Sequence, residues 1–186
     1  MTIVRSLVEM MGGKIEVESE LGVGTTFTLY LDFERISEEE VEAAKKATEN
    51  KKFTLKEELL GKKILLAEDH PLNAQIARKL LENAGCIVTW MDNGEKAVQA
   101  FADAEPGYYD AVLMDIRMPV MTGLEAAKAI RALERTDAKN IPIIAMTANA
   151  YDEDVQKSLD VGMDAHLSKP ISPEQLYETL AQYIQQ

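Results

Sequence analysis

From Lys63 onward the chain alternates between short apolar runs and longer stretches in which apolar residues return every three or four positions. Residues 64–67, 87–90, 111–114, 143–146 and 165–167 have the length and content of strands, and 71–83, 95–102, 124–134, 152–160 and 173–184 have the helical period. Five such units in succession predict an α/β domain, an open doubly wound parallel sheet with helices on both faces, because right-handed crossovers permit little else. Pro71 stands at the start of the first helix, where its missing N–H does no harm.

The first third of the chain follows a different pattern. Ile3, Val4, Leu7, Val8, Met10 and Met11 recur at helical spacing until Gly12-Gly13 stops them. Residues 14–19 alternate with Ile15 and Val17 on one face, residues 20–24 form a turn, and 25–31 are rich in β-formers, so a helix and a hairpin are expected. A chain that begins inside a helix reads as a fragment, and one helix with one hairpin makes a poor core alone. Residues 34–60 turn strongly charged, as a linker does. There Ser37 and Glu40 have capping-box spacing and Glu42 can pair with Lys46, which predicts a solvated helix without chemistry. The expected organisation is therefore 1–33, 34–60 and 61–186.

Composition narrows the partners. A formal charge of -12 and a pI near 4.7 argue against gripping nucleic acid or an anionic membrane, both of which need a basic face. Cys86 is the only cysteine, so no internal disulfide can form and a reducing, cytoplasmic setting is expected, with the thiol in the core. No apolar run approaches the roughly 20 residues of a membrane-spanning helix.

In an open α/β sheet, ligands bind beyond the carboxyl ends of the strands. At those ends stand Glu68 and Asp69, then Asp115, Thr147 and Lys169. Any one of them reads as ordinary loop polarity; together they suggest a site. Three carboxylates drawn into one cleft must take up protons or share a cation. Oxygen donors without His or Cys favour a hard ion, and Mg2+ suits so few carboxylates. Such an ion offsets charge while one carboxylate attacks phosphorus, and Thr and Lys from neighbouring strands would cradle the phosphoryl oxygens.

Four blocks, Leu66-Ala67-Glu68-Asp69, Leu113-Met114-Asp115-Ile116-Arg117-Met118-Pro119, Met146-Thr147-Ala148 and Ser168-Lys169-Pro170, resemble the receiver domain of two-component phosphorelays. The resemblance implies a flavodoxin-like fold with strand order 2-1-3-4-5. It makes Asp115 the phosphoacceptor and a Mg2+ ligand, with Asp69 binding directly, Glu68 through water, and Arg117 through its backbone carbonyl. It assigns Thr147, Ala148 and Lys169 to the phosphoryl group and the switch, places Arg117 and Asn149 beside the water that hydrolyses it, and makes the Lys169-Pro170 bond cis. The family's moving aromatic falls at His166, where a switch residue and an exposed histidine fit equally. Thr122 and Glu68 each stand where the family commonly has Asp. His70 is read as a helix-start residue, and Tyr108, Tyr109 and Met118 as packing residues.

Residues 3–15 with Gly24-Thr25-Thr26-Phe27 resemble the tail of the ATP-binding domain of sensor histidine kinases. The order, kinase then linker then receiver, is that of a hybrid kinase. The phosphoacceptor-His helix and the nucleotide motifs are not in this sequence, so no stand-alone kinase activity is expected. The implied partners are a phosphohistidine donor, from a kinase dimerisation domain or a histidine phosphotransfer domain. A homodimer through the linker helix or the hairpin also fits, and the parent of such a piece can be membrane-anchored. Two other readings use the same residues: a module that docks regardless of phosphorylation, and an aspartyl-nucleophile phosphatase. The latter is disfavoured by Arg117, where such enzymes carry a second Asp.

Overall fold

The computed structural model describes residues 2–32, 54–147 and 152–184. The chain divides into two compact units, Met1–Ala47 and Thr48–Gln186.

In the first unit, α1 (Thr2–Met10) precedes the antiparallel strands β1 (Lys14–Glu20) and β2 (Gly24–Tyr30). Gly12 ends the helix at φ 73°, and the Gly13 N–H donates to the Val8 carbonyl at 2.9 Å. A side chain at Gly13 would collide with the Tyr30 carbonyl, so glycine is what lets the helix end sit against the hairpin. Register pairs Ile15 with Leu29 and Val17 with Phe27, which gathers the apolar residues on one face. Val8 is buried, while Val4, Leu7, Met10, Val17, Phe27 and Leu29 stay exposed. The small core expected of one helix and one hairpin is what this unit has.

The second unit is the α/β domain. Its elements run β3 (Lys63–Ala67), α2 (Pro71–Asn83), β4 (Ile87–Met91), α3 (Gly94–Asp103), β5 (Ala111–Asp115), α4 (Gly123–Ala132), β6 (Ile143–Thr147), α5 (Asp152–Asp160), β7 (Ala165–Ser168) and α6 (Pro173–Ile184). The sheet is parallel throughout in the order β4-β3-β5-β6-β7, which is 2-1-3-4-5 counted within the domain. Every residue of the central β5 and β6 is buried. Their unbroken apolar sequence reflects cover on both sides, and the two-residue pleat divides it between two cores. One core joins Leu65, Val112, Met114, Ile143 and Ala145 to Phe101 of α3 and Ala127 and Ile130 of α4. The other joins Ile64, Leu66, Leu113, Ile144 and Met146 to Leu81 of α2 and Leu176 and Leu180 of α6.

Two helix starts lie one residue earlier than the apolar pattern indicates, because capping decides them. Asn93 accepts from the Lys96 N–H at 2.9 Å ahead of α3. Thr122 and Glu125 form a reciprocal capping box ahead of α4, with the Thr122 N–H donating to Glu125 at 2.9 Å. The second helix also ends at Ala132, short of the expected 134, since Leu133 turns extended. Residues 54–59 are helical, and Leu59 is fully buried in the second core, where its carbonyl accepts from the Cys86 thiol at 3.5 Å. The charged helix expected around Ser37 lies outside the described residues.

A single arginine ties α4 to the two loops that lead into β6 and β7, at the amino end of the sheet. Arg131 of α4 donates to the carbonyls of Ala138, Ile141 and Gly162, each at 2.8 Å, and to the Asp164 carboxylate at 2.8 Å. Asp164 accepts in turn from the Ile143 N–H that opens β6.

Candidate functional site

Parallel strands all point their carboxyl ends to one rim, so side chains far apart in sequence meet there. β3 delivers Glu68 and Asp69, β5 ends in Asp115, β6 in Thr147, and β7 runs into Lys169. Glu68, Asp115 and Thr147 are buried, and Asp69 is half-buried. Carboxylate oxygens of Glu68, Asp69 and Asp115 lie within 4.8 Å of one another. The Lys169 ammonium stands between two of them, 2.6 Å from Asp115 Oδ2 and 2.6 Å from Glu68 Oε2. Asn73 of α2 donates to the other Glu68 oxygen at 3.1 Å, and the Arg117 N–H reaches Asp115 Oδ1 at 3.3 Å.

The electrostatics follow from three carboxylates facing one ammonium. Burial lifts the Asp115 carboxyl above the ordinary aspartate range, Lys169 pulls it down, and the charge of Glu68 adds to the lift; the net direction is up. Burial would lower the Lys169 ammonium, but its bonds to Asp115 and Glu68 outweigh that and hold it above the usual lysine value. Both groups grip their protons, Asp115 chiefly because it is buried and Lys169 because two carboxylates face it. A divalent cation relieves the excess of three carboxylates over one ammonium. The donors are all oxygen, and they fit a hard ion such as Mg2+.

The backbone at this rim is built for close approach. A Cβ on Gly123, the first residue of α4, would collide with the Asp115 carbonyl, and the Gly123 N–H donates to the Ile116 carbonyl at 3.0 Å. Gly94, at the start of α3, is equally confined by the Met121 carbonyl. The Lys169 N–H donates to the Thr147 carbonyl at 2.8 Å, and the following Lys169-Pro170 bond is cis.

The strand-end residues chosen from sequence thus come together, except that Ala148, like Asn149, lies outside the described residues. His166 is exposed on β7, and His70 is exposed at the start of α2 with no side-chain cap. Cys86, Tyr109 and Met118 are buried, as packing residues. Sequence reasoning passed over Asn73, two residues beyond Pro71, which the first turn of α2 aims back at Glu68. It also passed over Trp90, whose indole N–H donates to the Glu68 carbonyl at 2.9 Å. Only knowing that β4 flanks β3 makes that second contact visible.

The model of the response regulator receiver domain matches residues 64–181. The aerobic respiration control sensor protein ArcB of Escherichia coli is 38% identical over 173 residues, covering 92% of this chain and 20% of that protein. The receiver domain of sensor histidine kinase PA1611 from Pseudomonas aeruginosa, solved with a magnesium ion in its active-site cleft, superposes with a TM-score of 0.62 at 38% identity, over 68% of this chain and 99% of that one. The receiver domain of Ssk1, solved with the histidine phosphotransfer protein Ypd1 of Saccharomyces cerevisiae, gives a TM-score of 0.59 at 26% identity over 67% and 89%. The chain belongs to the response regulator receiver family and is related to the receiver regions of hybrid sensor histidine kinases. It spans only 7% to 20% of the length of the curated relatives it matches. Among the described residues no helix is long and apolar enough to cross a membrane.

Proposed function

We propose that this receiver domain takes a phosphoryl group from a phosphohistidine onto Asp115 and relays the event by changing shape. The observation that carries the reading is the meeting of Glu68, Asp69, Asp115 and Lys169 at the ends of separate strands. An Asp115 carboxylate oxygen bonds to phosphorus as the phosphorus–nitrogen bond to the donor imidazole breaks, and that nitrogen leaves with the bonding pair. Lys169 follows the charge from the carboxylate to the phosphoryl oxygens, and the buried Thr147 hydroxyl and the backbone of Ala148 take up others. Mg2+, held by Asp69, Asp115, the Arg117 carbonyl and, through water, Glu68, would neutralise phosphoryl charge when bound. His166, exposed on β7, holds the position of the family's moving aromatic, and a switch residue and an exposed bystander fit it equally.

The ArcB match runs through the N-terminal unit as well, which supports reading residues 1–33 as the end of a kinase ATP-binding domain and 34–60 as its linker to a receiver of 61–186. Such a piece lacks the groups that make phosphohistidine, so the chain is a phosphoacceptor and not a turnover enzyme. The likeness to Ssk1 supports a histidine phosphotransfer domain as partner, with a kinase dimerisation domain the alternative donor. The setting proposed is cytoplasmic, with any membrane anchor elsewhere in a parent protein. Incubation with acetyl phosphate and Mg2+ should add one phosphoryl group by intact mass, and Asp115→Asn should add none. A parent protein that takes up no phosphoryl group refutes the reading.

A further inference from the structure

We propose that Trp90 is a positioning residue for the cation site, fixing through the backbone of Glu68 the direction in which Asp69 presents its carboxylate. The inference rests on the reading of Glu68, Asp69 and Asp115 as a Mg2+ site.

The three carboxylates are not held alike. Glu68 is gripped at both oxygens, by Asn73 and by Lys169, and Asp115 by Lys169 and the Arg117 N–H. Among the described residues no hydrogen bond or ion pair holds the Asp69 side chain. Its aim therefore depends on its backbone, and first on the peptide that joins it to Glu68.

β4 holds Glu68 on both sides, and the 68–69 peptide by its carbonyl. The parallel register sets Leu66 beside Trp90 and Ala67 beside Met91. One step past the strand, the Glu68 N–H still donates to the Met91 carbonyl at 3.0 Å. The Glu68 carbonyl has left the sheet, and the Trp90 indole N–H takes it as acceptor at 2.9 Å. Met91 thus holds the peptide before Glu68 and Trp90 holds the one after it, so the carbonyl of the 68–69 peptide has a fixed direction before any cation arrives. An unpinned loop would have to be ordered when the ion binds, and that ordering would weaken binding. The indole is 40% exposed, which is a poor use of the largest apolar side chain if packing were its whole purpose.

The experiment compares the parent chain, Trp90→Phe and Tyr177→Phe. Phenylalanine at 90 keeps the ring and removes the donor. Tyr177→Phe removes one hydrogen bond of similar length, 2.9 Å to the Leu80 carbonyl, away from the rim, and serves as the control for general loosening. Calorimetric titration with Mg2+ should give roughly tenfold weaker binding for Trp90→Phe, the scale of losing a group that orients a metal ligand, and unchanged binding for Tyr177→Phe. Trp90 is the only tryptophan, so its single indole N–H resonance should shift saturably with Mg2+ in the parent and stay still in Asp69→Asn. Equal affinity in Trp90→Phe and the parent, or equal weakening in Tyr177→Phe, overturns the role of Trp90 and leaves the cation site standing. A parent chain that binds no Mg2+ takes both down.

Discussion

Replacing Lys169 with methionine keeps the length of the side chain and deletes the ammonium that lies 2.6 Å from both Asp115 and Glu68. The two carboxylates are 6% and 1% exposed, so the change leaves two buried anions without their counter-charge. Breaking such a contact costs about 3 to 5 kcal/mol; the Lys169 side chain, 19% exposed, keeps some solvent screening, which places the loss near the lower figure. For a domain of this size about 3 kcal/mol lowers Tm by roughly 10 °C. The loss should depend on pH in a defined direction. Burial already raises the Asp115 carboxyl, and removing Lys169 raises it further. A carboxyl raised in the folded state contributes stability that is present below its unfolded value, about 3.9, and is lost as pH rises through the folded one. The gap between variant and parent should therefore be smaller at pH 5 than at pH 8. Mg2+ supplies the missing positive charge and no longer competes with an ammonium, so saturating Mg2+ should stabilise the variant more than the parent. Thermal melts over that pH range, with and without Mg2+, check each step. An equal deficit at pH 5 and pH 8, or one that Mg2+ leaves untouched, refutes the account of Lys169 as the cluster's resident cation.

Gly123→Ala should cost about 2 kcal/mol through the collision with the Asp115 carbonyl, and it should slow acetyl phosphate labelling as well, because the displaced strand end carries the acceptor. Arg131→Ala strands three carbonyls and the Asp164 carboxylate, and chemical denaturation should show a loss of about 3 kcal/mol, of which Arg131→Lys recovers less than half since an ammonium cannot reproduce the fork. Burial pushes the Cys86 thiol up to about 11 from 9.0, so it should resist alkylation at pH 8 about a hundredfold more than a free thiol. The raised value also means stability holds below pH 9 and falls by roughly 2 kcal/mol as pH rises to 11, a fall that Cys86→Ala should abolish.

What the sequence disclosed and what it withheld divide along the range of the interactions. The runs at 111–114 and 143–146 announce strands covered on both faces, and the alternation at 14–19 announces a hairpin with one apolar side, because burial and pleat act on neighbouring residues. Asp115 and Lys169 are legible as a pair only through the topology rule that carries strand ends to one rim. Thr122, which looks like a departure from the family's aspartate, is explained by its partner three residues on, as the cap of α4. Arg131 and Trp90 gave no signal, since their acceptors lie up to 33 residues away and depend on which strand lies beside which.

The buried Leu59 fixes where the domain is tethered. It packs beside Cys86, and the Gly61 N–H donates to the Gly85 carbonyl at 2.9 Å, so the entering chain is fastened at the pole where β3 and β4 begin. Asp115 closes the other pole, roughly 16 Å off, the span of a five-residue strand. Leu59 and Asp115 thus sit at opposite ends of the open parallel sheet, so the point where residues 54–59 join the domain stays clear of the carboxylate rim.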